Sequence, residues 1–312
     1  MKLIIQIPCY NEEQTLPLTL SQLPRELKGF NKVEWLIIDD GSTDNTVTVA
    51  KACGVDHVVS LPCNQGLAKG FMAGIDACLR LGADIIVNTD ADNQYYAGDI
   101  ANLVQPILAG EAEFVIGARP IKTIRHFSPI KKLLQHIGSL VVRIASKTDI
   151  PDAPSGFRAI SRDTAMRLNV FNEYTYTLET IIQAGQKNMA ITSVPIRINK
   201  DERPSRLMKS MVSYIRRSIT TILRIFVVYK PFRFFMTTGV ILFTAGLLIG
   251  LRFIYFLQIG QGEGHVQSVI LAGLLMGIGF QTGLIAFIAD LLAVNRKLLE
   301  EIQYRLRKME RP

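Results

Sequence analysis

The stretch Ala83-Asp84-Ile85-Ile86-Val87-Asn88-Thr89-Asp90-Ala91-Asp92-Asn93-Gln94 runs from an apolar segment into a turn carrying two carboxylates one residue apart. An aliphatic run bounded by polar turn formers reads as a buried strand. In an open α/β sheet, ligands bind outside the carboxyl ends of the strands. Carboxylate oxygens there suit Mg²⁺ or Mn²⁺, hard cations that share their coordination shell with substrate phosphates. A D-x-D turn taken alone also reads as solvated aspartates or a helix cap, so its neighbours decide.

Working outward, further strand-like runs occur at Leu3–Ile7, Glu34–Ile38, His57–Leu61 and Phe114–Ile116. Helical patterns at Glu12–Leu23, Asn45–Cys53, Gly66–Leu81 and Ala97–Ala109 alternate with them. This alternation predicts an α/β domain, a Rossmann-like, mostly parallel sheet with helices on both faces. The first three strands end in polar motifs of their own: Pro8-Cys9-Tyr10-Asn11-Glu12, Asp39-Asp40-Gly41-Ser42-Thr43-Asp44 and Asn64-Gln65-Gly66-Leu67-Ala68-Lys69-Gly70. Singly they have ordinary readings, with Asp44 as a helix N-cap, Gly41 as a turn residue and Lys69 as a surface charge. Jointly they line one rim with groups for a base and ribose beside a cation site for a diphosphate.

The chain has 312 residues, 48% of them hydrophobic, and a formal net charge of +8. The apolar surplus is concentrated in Phe232–Leu257 and Val266–Leu292, each long enough to cross roughly 30 Å of hydrocarbon as a helix. Residues 1–202 then form the α/β domain, 203–231 an amphipathic juxtamembrane segment, 232–294 two spans and 295–312 a basic tail. Arg203, Arg206, Lys209, Arg216, Arg217, Arg224, Lys230 and Arg233 lie before or at the start of the first span, Arg296, Lys297, Arg305, Arg307, Lys308 and Arg311 follow the second, and the loop Gln258–His265 holds no Lys or Arg. The positive-inside rule puts both termini in the cytoplasm. The basic pI near 9.3 therefore reflects a lipid bilayer surface and no nucleic acid. Between Ser205 and Tyr229 apolar and basic residues interleave as in interfacial helices, or as in a basic helix packed on the domain.

The chain opens on a strand-like run, so no signal peptide is expected. Cys9, Cys53, Cys63 and Cys78 have no C-x-x-C spacing and read as reduced thiols in a cytosolic setting. No G-x-G-x-x-G follows the first strand, which disfavours a dinucleotide oxidoreductase.

Pro8-x-Tyr10-Asn11-Glu12, Asp39-Asp40-Gly41-Ser42-Thr43-Asp44, Asn64-x-Gly66 and Asp90-Ala91-Asp92-x-Gln94 together resemble the family 2 inverting glycosyltransferases with a GT-A fold. Gly117-Ala118-Arg119 and Ser155-Gly156-Phe157-Arg158 narrow the likeness to the dolichol-phosphate mannose synthase and bactoprenol glucosyltransferase branch. The resemblance implies a nucleotide-sugar donor, a polyprenyl phosphate acceptor and a divalent cofactor, Mg²⁺ or Mn²⁺. By position it implies that Pro8, Tyr10, Glu12, Asp39, Asp40, Lys69, Asp90 and Ala91 line the nucleotide. Asp90, Asp92 and Gln94 would bind metal, and Arg119, Arg125, Arg203 and Arg206 the lipid phosphate. Asp152, Asp92 and Arg119 would be catalytic.

Two places depart from the branch. Tyr95-Tyr96 stand where prolines are frequent, and Lys200–Arg206 does not align cleanly with the second phosphate-binding stretch. The acceptor's phosphate monoester has a second pKa near about 6, so at cytosolic pH it is mostly a dianion and already nucleophilic. Cations that hold two anionic substrates together then matter more than a strong base, and Asp152 is expected to position groups.

Gly246-x-x-x-Gly250, Gly273-x-x-x-Gly277 and Gly279-x-x-x-Gly283 permit close helix approach, either between the two spans of one chain or in a homo-oligomer, dimer or tetramer. The expected activity is transfer of one sugar, from a UDP-glucose or UDP-glucuronate type of donor, to polyprenyl phosphate. Alternatives are a GDP-mannose-dependent synthase and a non-catalytic nucleotide-sensing or flippase-accessory module. A processive polysaccharide synthase needs a Gln-x-x-Arg-Trp element, and the single tryptophan, Trp35, sits in the second strand.

Overall fold

The computed structural model describes residues 1–120, 139–140, 142–144, 146–170, 176–199, 220, 224, 227–260 and 266–309. The chain divides into two compact units, Met1–Ser218 with Ile302–Pro312, and Ile219–Glu301.

The first unit is built on a seven-stranded sheet: β1 Lys2–Cys9, β2 Lys32–Asp39, β3 His57–Ser60, β4 Ile85–Asn88, β5 Phe114–Ala118, β6 Arg158–Ser161 and β7 Ile191–Pro195. Their spatial order is β3-β2-β1-β4-β6-β5-β7. β1, β2, β3 and β4 run parallel, and β6 lies antiparallel between β4 and β5, with Asn88 opposite Arg158. The mostly parallel sheet expected from the sequence is present. β6 (Arg158-Ala159-Ile160-Ser161) and β7 (Ile191-Thr192-Ser193-Val194-Pro195) are not among the runs expected from the sequence, because polar residues interrupt them where β4 has the unbroken Ile85-Ile86-Val87.

The helices are α1 Leu16–Gln22, α2 Thr46–Ala52, α3 Leu67–Arg80, α4 Ile100–Leu108, α5 Arg162–Arg167 and α6 Thr177–Gln186. β1 is apolar without alternation because both faces are covered: Leu3, Ile4, Ile5 and Ile7 are all fully buried. On one face Leu3, Ile5, Ile7, Trp35 and Val87 pack with Leu16, Leu20, Ile100 and Leu103. α3 covers the other face of β1 and β2. It comes so close that a Cβ on Gly74 would stand 2.4 Å from Gln6 Oε1. Each buried Ile or Leu stabilises this core by about 1.5–3 kcal/mol.

The second unit contains α7 Pro231–Gln258 and most of α8 Val266–Met309. Pro231 stands at the start of α7, where its missing N–H costs nothing. Both helices are long and apolar enough to cross a membrane, with mean hydropathies of 2.2 and 2.0, and only 6% and 17% of their most apolar stretches are buried. A buried soluble hairpin would have covered them. They meet through small residues: a Cβ on Gly239 would lie 2.8 Å from Gly279 O, and one on Gly246 2.8 Å from Ala272 O. A Cβ on Gly273, Gly277 or Gly283 would meet nothing within 4 Å, although the Gly283 backbone lies against Gly239.

Residues 295–309, within the expected basic tail, are helical and continue α8 to Met309. No Gly or Pro interrupts this stretch, and Glu, Leu, Arg and Lys propagate helix well. Within the first unit, its last turns contact the α/β domain. Tyr304 donates to Asp163 at 2.9 Å, and Arg307 donates to Asp76 Oδ1 at 2.9 Å and to the Met166 and Leu168 carbonyls at 3.1 and 2.8 Å.

Candidate active site

The carboxyl ends of β1, β2 and β4 converge on one rim, because parallel neighbours in register must end together; Cys9 pairs with Asp39. The loops after β1 and β2 are tied to each other. Asn11, at φ 54°, accepts from Thr43 N at 2.8 Å, and its own N–H donates to Ser42 Oγ at 2.9 Å. Glu12 N donates to Thr46 Oγ1 at 2.8 Å and Glu13 N to Asp44 Oδ2 at 3.2 Å. Tyr10 stands on this rim with 42% of its surface exposed, and Pro8 is partly buried.

The acids expected near the nucleotide are mostly inside. Glu12, Asp39 and Asp40 are 8%, 5% and 5% exposed. Asp39 accepts from Ser42 N at 3.0 Å. Asp40 turns both oxygens onto backbone N–H groups, Gln65 at 2.7 Å and Gly66 at 2.9 Å, so it holds the loop that leads into α3. Lys69 is exposed on the first turn of that helix. Gly41 must be glycine: its φ is 69°, and a Cβ would meet the Cys63 carbonyl carbon at 2.5 Å.

The turn after β4 presents Asp90, Asp92 and Gln94, all partly exposed, around buried Ala91 and Asn93. Asp92 Oδ1 accepts from Gln94 N at 3.2 Å, and Asn93 is left-handed at φ 55°. The Ala91 carbonyl accepts from Thr19 Oγ1 at 2.8 Å, fixing the turn to α1. Burial, and then the adjacent Asp92 carboxylate, push the Asp90 pKa up, against the pull of Arg119 and a hydrogen bond from Tyr95. A cation would relieve that repulsion. Gly156 leaves room beside the acid, since a Cβ there would stand 3.0 Å from each Asp90 oxygen. Among the described residues no three His, Cys, Asp or Glu side chains converge. Asp90 and Asp92 therefore fit a cation that takes one or two protein carboxylates and completes its shell with phosphate and water, as Mg²⁺ does.

Beyond β5, Arg119 and Asp152 form a near-buried bidentate pair, Nε to Oδ2 at 2.7 Å and Nη2 to Oδ1 at 3.0 Å. Burial alone would lower the Arg119 pKa, but Tyr95 and Asp152 outweigh it and raise the value, so the guanidinium stays charged. Arg125, Arg203 and Arg206 lie outside the described residues.

The residues that shape this rim from behind carry no signal a sequence pattern isolates. Arg158 is fully buried and gives its fork to neutral oxygens: the Ser155, Ala153 and Thr177 carbonyls and Thr180 Oγ1. It thereby ties the 152–157 loop to α6. Asn88 donates to Gly156 O at 2.8 Å and Tyr176 Oη at 2.9 Å, and Gly156 N donates to Tyr95 Oη at 3.0 Å. Ser155, Gly156 and Arg158 stand in one sequence motif, and Asn88 and Tyr95 flank the Asp90–Asp92 turn, but no spacing along the chain links them to one another or to Tyr176 and Thr180.

The comparisons with known proteins accord with this geometry. The profile "Glycosyl transferase family 2" matches residues 4–168. UDP-N-acetylglucosamine–dolichyl-phosphate N-acetylglucosaminyltransferase of Methanococcus voltae is 30% identical over 216 residues, 61% of this chain and 83% of the relative. Polyprenol monophosphomannose synthase of Mycolicibacterium smegmatis is 26% identical over 210 residues, 64% and 78% of the two chains. Glucosyl-3-phosphoglycerate synthase of Mycobacterium tuberculosis, solved with Mn²⁺, UDP and glucosyl-3-phosphoglycerate, shares the fold at a TM-score of 0.56 and 20% identity, over 72% of this chain and 78% of that one. Fold, motif order and profile agree, and the chain belongs to glycosyl transferase family 2.

Proposed function

We propose that this glycosyltransferase is membrane-anchored and inverting, and moves one sugar from a nucleotide sugar to a polyprenyl phosphate. The observation that carries this is the placement of the Asp90–Asp92 turn and the Arg119–Asp152 pair at the ends of the neighbouring strands β4, β6 and β5, with Gly156 against the Asp90 oxygens and Arg119 lowering the Asp90 pKa. A cation site beside a held guanidinium suits two phosphorylated substrates that otherwise repel. Relatives named for dolichyl-phosphate and polyprenol acceptors support the acceptor class. The two apolar helices support the anchor, and the charge distribution supports a cytoplasmic catalytic domain.

Asp90, Asp92 and Gln94 would hold Mg²⁺ or Mn²⁺, which supplies positive charge to the departing diphosphate. Tyr10 offers an exposed ring to the base, and Pro8, Glu12 and Asp39 shape the pocket around it. Asp40 and Ala91 act through the loops they fix, and Lys69 adds positive charge at the rim. Arg119 draws the acceptor phosphate, while Asp152 fixes the direction of its guanidinium. With both oxygens engaged by Arg119, Asp152 is a positioning residue, and the phosphate dianion needs no strong base. Arg125, Arg203 and Arg206 are assigned to the lipid phosphate on sequence grounds. Catalysis is then positioning and charge stabilisation, with inversion following from in-line attack.

A UDP-sugar is the favoured donor and GDP-mannose the second, the latter because the M. smegmatis relative is named for mannose. The test is a panel of UDP-glucose, UDP-glucuronate, UDP-N-acetylglucosamine and GDP-mannose against a short polyprenyl phosphate, with products read by mass spectrometry. Release of nucleoside diphosphate should require both divalent metal and the lipid phosphate. Undiminished release without either overturns the assignment.

A further inference from the structure

The turn that carries Gln94 is not self-supporting. It is fastened by Arg197, Ile198 and Asn199, which follow β7 about a hundred residues later. Asn199 N donates to Gln94 O at 2.9 Å. Its side-chain Nδ2, with two N–H groups, lies 2.9 Å from Asn93 O, 3.3 Å from Asn93 Oδ1 and from Tyr95 O, and 3.4 Å from Gln22 Oε1, so the longer contacts share its protons. Tyr95 pairs with Ile198 as an isolated antiparallel bridge, and Tyr96 N donates to Arg197 O at 3.3 Å. Arg197 in turn reaches Asp99, its backbone N at 2.7 Å and Nη2 at 2.6 Å, and its guanidinium lies 4.0 Å over the Tyr96 ring.

The need for such a fastening is local. Asn93 is left-handed, a conformation non-glycine residues rarely adopt, and the carbonyls of residues 93–95 belong to no strand or helix. One amide reaching the carbonyls on either side of Gln94 holds the orientation of the residue between them. We infer that Asn199 is a positioning residue for the metal-binding turn, setting cation affinity without touching the cation. This rests on the reading of Asp90, Asp92 and Gln94 as the cation site. Groups that orient metal ligands through hydrogen bonds typically change affinity by about 10–100-fold when removed.

The experiment is Mn²⁺ titration of the detergent-solubilised full chain, followed by electron paramagnetic resonance, with UDP and with GDP in separate arms. Asn199→Ala should weaken Mn²⁺ binding by about ten-fold. At saturating Mn²⁺, kcat should fall by less than the affinity does. Asn199→Asp keeps the size and backbone but cannot donate, and should weaken binding at least as much. A melting temperature for each variant shows that the domain is folded. Should Asn199→Asp bind Mn²⁺ within two-fold of the unsubstituted chain, the inference is overturned. If the unsubstituted chain itself binds no Mn²⁺ with either nucleotide, the underlying reading of the cation site fails instead.

Discussion

Asp152 accepts three hydrogen bonds from a single residue, Arg119: from Nε at 2.7 Å, from Nη2 at 3.0 Å and from the backbone N–H at 3.1 Å. Two residues that the motifs suggested for different tasks are one unit. Their removal should therefore be non-additive. Arg119→Ala and Asp152→Ala are each expected to lower kcat by about 10²–10³-fold, the scale of losing a preorganised charge contact. The double variant should be little worse than either alone. Multiplicative losses in steady-state kinetics would show that the two act separately.

A Cβ on Gly156 would stand 3.0 Å from both oxygens of Asp90 and 3.2 Å from Tyr176 Oη, tight enough that a neighbour must shift by a few tenths of an ångström. Gly156→Ala should displace the Asp90 carboxylate. Divalent metal affinity is expected to drop at least about ten-fold, by the same outer-shell argument, while the melting temperature changes by only a few degrees. Unchanged metal dependence of the reaction would contradict this packing.

At the opposite end of the sheet, buried Glu34 is surrounded by Lys2 at 2.7 Å, Lys32, and His57 at 2.8 Å. Burial alone would raise its pKa, but hydrogen bonds from Lys2, Lys32 and His57 outweigh it and bring the value down to about 2. Because the folded value is depressed, this stabilisation is fully present above the unfolded glutamate value near about 4.3 and is lost as pH falls towards 2. A loss of about 1–2 kcal/mol is expected, allowing for solvent screening of the partly exposed lysines. Denaturant midpoints between pH 6 and pH 2.5 should fall less steeply in Glu34→Gln; parallel curves would contradict the assignment.

The two long apolar helices predict an asymmetry among similar glycines. A Cβ on Gly279 would lie 2.6 Å from Phe243 N, whereas Gly273 has nothing within 4 Å. Gly279→Leu should separate α7 from α8 and lower yield and thermal stability in detergent. Gly273→Leu should be close to neutral in a monomer. If Gly273→Leu alone abolishes a higher-mass species in multi-angle light scattering, that face joins copies of the chain.

What the sequence by itself determined was whatever depends on local periodicity and on chain neighbours. The unbroken apolar runs marked the parallel strands because covered strands need no polar face, and the motifs after them fell at one rim of the sheet, the candidate site. The long uncharged stretches marked α7 and α8 for the same reason, since apolarity of that length is a local property. Tertiary structure decided which groups on that rim are available. Asp40 is committed to the backbone of residues 65 and 66, and Asp152 to Arg119, through contacts 25 and 33 residues apart in sequence. The fastening of Gln94 by Asn199 spans still more chain. Hydrogen bonds of this kind depend on angstrom-scale placement of distant segments by the packed sheet, and no spacing along the chain encodes them.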